Sequence, residues 1–122
     1  MKKILLIEDE AALQKTFGDV LSVEGFKVIS AIDGEIGLRL AGSEKPDLII
    51  LDLVLPKLHG LEVLKGLKEN NKTKNIPVII LTNMGDLENI EKALELGATT
   101  YMIKADYTLE DVVAKVKNAI VA

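Results

Sequence analysis

Between Asp47 and Pro56 the chain reads Asp-Leu-Ile-Ile-Leu-Asp-Leu-Val-Leu-Pro. Residues 48–51 form an apolar run with no polar alternation, and the run ends on a carboxylate, Asp52. Such runs belong to strands covered on both faces, which means a parallel sheet packed between layers of helix. Pro56 forbids a long continuation of the strand. A charged residue at its tip sits at the carboxyl edge of the sheet, where open parallel sheets bind their ligands.

The same pattern recurs along the chain. Residues 3–7 are apolar after Lys3 and are closed by Glu8-Asp9-Glu10, and residues 28–32 read as a second strand. Pro77 introduces residues 78–81, which end at Thr82-Asn83, and residues 100–103 end at Lys104. Helical periodicity fills the intervals. Leu13, Phe17, Val20 and Leu21 share one helical face, with Gly25 placed for a left-handed C-cap. Asp33-Gly34 opens a second helix with Ile36, Leu40 and Ala41 inward, and Gly42-Ser43 ends it. Gly60 starts a third, carrying Leu61, Leu64 and Leu67, and residues 69–75 form a polar loop.

Asp86 reads as the N-cap of a fourth helix, with Leu87, Ile90 and Leu94 inward and Gly97 beyond its end. Thr108-Leu-Glu-Asp111 has capping-box spacing, with Asp in place of Glu or Gln. Behind it Leu109, Val112, Val113, Val116 and Ile120 form an apolar stripe. Strands alternating with helices predict one α/β domain over residues 1–122, a doubly wound five-stranded parallel sheet with five helices. Right-handed crossovers bring every strand's carboxyl end to one edge. The flavodoxin-like strand order 2-1-3-4-5 makes strands 1 and 3 neighbours.

That edge gathers Glu8, Asp9, Asp52, Thr82, Asn83 and Lys104. Carboxylates packed together raise one another's pKa unless a cation sits among them. An oxygen-only set favours a hard ion such as Mg²⁺. The Lys104 ammonium and the Thr82 hydroxyl suit the oxygens of a transferring phosphoryl group. Asp52 is then the nucleophile, forming an aspartyl phosphate. Singly, each residue has an ordinary reading: acidic residues cap helices, a strand-end threonine is structural, a lysine is a surface charge. Their joint placement at the ends of four strands carries the functional reading. His59 reads as a solvated loop residue rather than a phosphate carrier. Tyr101 reads equally as a half-buried core aromatic or a functional group.

Composition removes other classes. The 122 residues carry a net charge of −4, with no basic stripe, so direct nucleic-acid binding is not expected. The chain has no cysteine, which excludes disulfides, thiolate zinc sites and cysteine nucleophiles. The acidic triplet interrupts any signal-peptide core, and no apolar segment approaches the roughly 18–20 residues of a membrane span. A cytoplasmic protein off the membrane is expected, as a monomer or weak dimer.

Over its whole length the chain resembles the receiver domain of bacterial two-component response regulators, of the single-domain, chemotaxis-regulator-like kind. The resemblance rests on Glu8-Asp9-Glu10, on Asp52-Leu-Val-Leu-Pro56 with Gly60 beyond it, on Thr82, and on Gly97-Ala-Thr-Thr-Tyr-Met-Ile-Lys104. It implies that Asp52 accepts a phosphoryl group from a phosphohistidine of a sensor histidine kinase or histidine phosphotransfer protein. Asp9, Asp52 and the Val54 backbone carbonyl would bind Mg²⁺, with Glu8 helping through water. Lys104 and Thr82 would contact the phosphoryl oxygens, and Val54, Asn83 and Met84 would modulate access.

In the family, movement of Thr82 is coupled to an inward turn of Tyr101. The turn changes the surface of helix 4, strand 5 and helix 5, which a downstream protein reads. Such a domain is not a turnover enzyme; it catalyses its own phosphorylation and dephosphorylation. Three positions depart from the family pattern: Glu8 replaces the usual Asp, Asn83 a small residue, and Ala105 a proline that follows a cis bond. A cis bond before a non-proline residue costs about 2.5–4 kcal/mol, so the Lys104–Ala105 bond either relaxes to trans, the preferred outcome, or persists as a strained cis bond.

Alternatives remain open at this point. The same domain fits a receiver within a longer regulator bearing a DNA-binding or enzymatic output domain. A haloacid-dehalogenase-type phosphatase would need a carboxylate where Val54 stands. A flavin mononucleotide carrier would need a Ser/Thr-rich loop where the acidic triplet lies.

Overall fold

Residues 1–82 and 86–121 are described by the computed structural model. The strands are β1 (Lys3–Ile7), β2 (Lys27–Ala31), β3 (Leu48–Asp52), β4 (Val78–Thr82) and β5 (Thr100–Ile103). They alternate with α1 (Ala11–Val23), α2 (Gly34–Glu44), α3 (Gly60–Glu69), α4 (Leu87–Glu95) and α5 (Leu109–Val121). The sheet runs β2-β1-β3-β4-β5, and all neighbours are parallel. The doubly wound, flavodoxin-like arrangement is therefore the one the alternating pattern predicts.

Both sheet faces are dry, which explains the unbroken apolar runs. Leu5, Ile7, Ile49, Leu51, Val78 and Ile80 point to the side carrying Ala41 of α2, Val63, Leu64 and Leu67 of α3, and Ala93 of α4. Ile4, Leu6, Leu48, Ile50, Ile79 and Leu81 point to the other, against Phe17 and Leu21 of α1 and Val112 and Val116 of α5. β3 and β4 are buried along their whole lengths. The central strands thus hold the carboxyl edge on a rigid base.

Several element details differ from expectation. β2 ends at Ala31, and Ile32 is exposed. α2 continues through Gly42-Ser43 to Glu44, and Lys45 then takes the left-handed conformation, φ 49°, that glycine adopts more readily. In α4 the buried residues are Ile90 and Ala93, whereas Leu87 and Leu94 are 65% and 41% exposed. Leu109 is also exposed, and Ala119 joins Val112 and Val116 in the core. The expected capping box is present and reciprocal: the Thr108 N–H donates to Asp111 Oδ2 at 2.9 Å and the Asp111 N–H to Thr108 Oγ1 at 3.1 Å. Gly25, at φ 92°, ends α1 as its position predicts. Among the described residues no peptide bond is cis, so the Lys104–Ala105 bond is trans.

Gly60 connects fold to site. Its N–H donates to the Leu53 carbonyl at 2.9 Å, and a Cβ there would collide with the backbone of Asp52 and Leu53. Only a residue without a side chain lets α3 start against the strand that ends in Asp52. Gly60→Ala is expected to cost about 1–3 kcal/mol, as overpacking does. It should also slow chemistry at Asp52, because the displaced atoms are that residue's own backbone. Thermal melts and phosphorylation time courses check both effects.

Candidate functional site

Register explains why the edge residues meet. Ile7 pairs with Leu51, so the next residues, Glu8 and Asp52, leave adjacent strands side by side. The ladder continues past each strand: the Glu8 N–H donates to the Ala31 carbonyl at 3.0 Å, the Leu53 N–H to Leu81 at 3.2 Å, and the Lys104 N–H to Thr82 at 2.7 Å. Glu8, Asp52, Thr82 and Lys104 are therefore held by sheet hydrogen bonding rather than by a free loop.

Asp52 is 2% exposed and Glu8 fully buried, and Lys104 reaches over β4 to both. Its Nζ lies 2.8 Å from Asp52 Oδ2 and 3.4 Å from Glu8 Oε1. The second Asp52 oxygen, Oδ1, accepts from the Val54 N–H at 3.1 Å. Glu8 Oε1 also accepts from the Glu10 N–H at 3.3 Å, so the acidic triplet turns one of its own carboxylates inward instead of capping α1. Gln14 Nε2 donates to the carbonyls of Glu8 and Ala31, tying the ends of β1 and β2 to α1.

Electrostatics follow from the burial. Loss of solvent, then the hydrogen bond and charge of Asp52, push Glu8 up to about 8, against the opposing pull of Lys104. Burial alone would lower the Lys104 ammonium. Its hydrogen bond to Asp52, with the charges of Asp52 and Glu8, outweighs that and holds it above the ordinary lysine value. Glu8 Oε2 is buried with no hydrogen-bond partner among the described residues. Oxygens of Glu8, Asp9 and Asp52 all lie within 4.8 Å of one another. A hard divalent cation fits that donor set, since the ligands are oxygen and one buried oxygen lacks a partner.

The remaining candidates divide. Thr82 is 1% exposed, and its hydroxyl donates to Asp86 Oδ2 at 3.3 Å. Tyr101 is an exposed residue at 36%, so neither the half-buried core reading nor an inward position describes it. Val54 is 58% exposed at the rim. Asn83 and Met84 lie outside the described residues. His59 is exposed and caps α3, its Nδ1 accepting from the Leu61 N–H at 3.1 Å. Sequence reading missed that cap, although the position immediately before Gly60 was the available signal. It also missed Gln14, which no motif marks.

Comparison with known proteins agrees with this geometry. A family model described as the response regulator receiver domain matches residues 4–117. The alkaline phosphatase synthesis transcriptional regulatory protein PhoP of Bacillus subtilis is 41% identical over 116 residues, covering 95% of this chain and 47% of that protein. Sporulation initiation phosphotransferase F, also of Bacillus subtilis, is 36% identical over 103 residues, covering 84% of this chain and 82% of the relative. A putative response regulator from Chloroflexus aurantiacus superposes with a TM-score of 0.93 at 28% identity, covering 99% of this chain and 98% of the other.

The chain spans about half the length of the transcriptional regulators it matches, from 39% to 50%. No helix among the described residues is long and apolar enough to cross a membrane. The chain belongs to the response regulator receiver domain family, whose work is phosphorelay signalling.

Proposed function

We propose that Asp52 is the phospho-acceptor of a cytoplasmic two-component or phosphorelay system, charged by a phosphohistidine of a sensor histidine kinase or histidine phosphotransfer protein. The observation that carries this reading is the Lys104–Asp52 contact of 2.8 Å at the end of a fully buried strand, beside Glu8. An Asp52 oxygen attacks phosphorus as the phosphorus–nitrogen bond breaks, and the bonding pair stays on the imidazole nitrogen. Lys104 stabilises the charge on the phosphoryl oxygens, and Thr82 turns its hydroxyl toward them.

Glu8, Asp9, Asp52 and the Val54 carbonyl would hold Mg²⁺, whose chemistry when bound is to neutralise the carboxylates and the incoming phosphate. Val54, exposed at the rim, would set access for water together with Asn83 and Met84, which lie outside the described residues. The domain so catalyses only its own phosphorylation and dephosphorylation.

Output follows from the α4–β5–α5 face. Leu87, Leu94 and Tyr101 are exposed there, and apolar groups left on a surface favour protein contact over solvent. An inward turn of Tyr101, coupled to Thr82, would change what a protein partner meets on that face. No part of this reading requires nucleic acid or membrane contact by the domain itself.

The test is incubation with acetyl phosphate and Mg²⁺ followed by intact-mass measurement. The wild-type chain should gain one phosphoryl group and Asp52→Asn none. An unchanged wild-type mass would leave a receiver fold without receiver chemistry.

A further inference from the structure

Asp86 occupies the N-cap position of α4, yet its carboxylate caps nothing. One oxygen, Oδ2, accepts from Thr82 Oγ1 at 3.3 Å, and the other, Oδ1, accepts from Asn89 Nδ2 at 2.7 Å. The backbone at Asp86, φ −91° and ψ 45°, is away from the extended conformation that directs a capping carboxylate at the helix amides. Asp33, by contrast, sits at φ −150° and ψ 171° and caps α2 by accepting from the Ile36 N–H at 2.9 Å. The same residue type thus does, at one helix, what it is held from doing at the other.

A threonine hydroxyl has a single proton to donate. It can go to Asp86 or to an oxygen on a phosphorylated Asp52, but not to both at once. The Asp86 carboxylate faces the matching choice between Thr82 and the first-turn amides of α4. We propose that Asp86 is a positioning residue, a latch that holds Thr82 back in the unphosphorylated protein and caps α4 when a phosphoryl group draws the hydroxyl away. Phosphorylation would then be transmitted to α4 by the exchange of two hydrogen bonds. The consequence at the helix is a firmer first turn next to exposed Leu87. The input rests on the phospho-acceptor reading; the latch itself is a property of the unphosphorylated chain.

The sign of one effect separates the latch from an ordinary structural bond. In unphosphorylated Thr82→Val the freed carboxylate should cap α4, and amide exchange at Glu88 and Asn89, followed by NMR, should slow about fivefold. Thr82→Ser, which keeps the hydroxyl, should exchange like wild type. Asp86→Ala combined with Thr82→Val should abolish the slowing. Asp86→Ala alone, with Thr82 released, should take up the phosphoryl group of acetyl phosphate about fivefold faster than wild type.

Exchange in Thr82→Val that is unchanged or faster than wild type would overturn the latch, because loss of a merely structural bond loosens the helix start. Slowing in Thr82→Val that survives addition of Asp86→Ala would overturn it equally. Wild-type protein that fails to gain mass with acetyl phosphate would overturn the phospho-acceptor reading and remove the latch's input, whatever the helix amides do.

Discussion

Lys104→Met is expected to slow phosphoryl uptake from acetyl phosphate by about 10²–10³-fold, the range found when one preorganised charge-stabilising donor is removed. Methionine keeps the apolar stem and removes the ammonium that lies 2.8 Å from Asp52 and 3.4 Å from Glu8. The two carboxylates are then left without their shared partner in a water-poor site. Stability should fall by about 1–3 kcal/mol, the cost of stranding a buried polar group. Mg²⁺ should restore much of the stability, since a divalent cation neutralises the same carboxylates, but not the rate. Melting curves with chelator and with Mg²⁺, beside mass time courses, separate the two roles. Restoration of both by Mg²⁺ would mean that Lys104 only balances charge.

Glu8→Gln should act in the opposite sense on the metal-free protein. The folded state pushes Glu8 from 4.5 up to about 8, mainly by burial and then through Asp52. A carboxyl group with a raised pKa binds its proton more tightly when folded. Its contribution to stability is complete below about 4.5 and is lost as pH climbs toward about 8. Metal-free wild type should therefore become less stable from pH 5 to pH 8, and Mg²⁺ should stabilise it more at the alkaline end.

Glutamine cannot ionise, so the variant should lose most of that slope and melt on the order of 5–10 °C higher than wild type at pH 8 without metal. Mg²⁺ affinity should drop about 10–100-fold, as happens when a supporting ligand partner is removed. Calorimetric titration and melts at several pH values check this. A variant that keeps the wild-type pH slope would locate the raised pKa elsewhere.

The sheet was legible in the sequence because strands buried on both faces leave long apolar runs, and their ends at Glu8, Asp52, Thr82 and Lys104 follow from those runs alone. Periodicity served α4 less well. Leucine at 87, isoleucine at 90 and leucine at 94 satisfy a helical stripe, but the sheet accepts only one narrow line of that short helix, Ile90 and Ala93. Ala93 is too small to announce a core position in a sequence. The stop of α2 was placed too early for a related reason: Gly42-Ser43 looks like a terminator, yet Lys45 adopts the left-handed turn despite its Cβ.

At the candidate site, residue types pointed to side chains that the fold brings together but not to their pairing. That Glu8 is buried with an oxygen left over, or that Asp86 holds Thr82 instead of capping, depends on side-chain directions that spacing does not encode.

The reach of Lys104 has a consequence for how the protein comes into being. Its partners Asp52 and Glu8 lie 52 and 96 residues earlier in the chain. Contacts so distant in sequence are among the slowest to form, because a long loop must close before they return any energy. A chain still being synthesised already carries the paired acids of β1 and β3, but not the cation that comes with the last strand. Until β5 docks, those acids lack the ammonium that bridges them. The bridged arrangement of Asp52, Glu8 and Lys104 therefore forms only once β5 is in place.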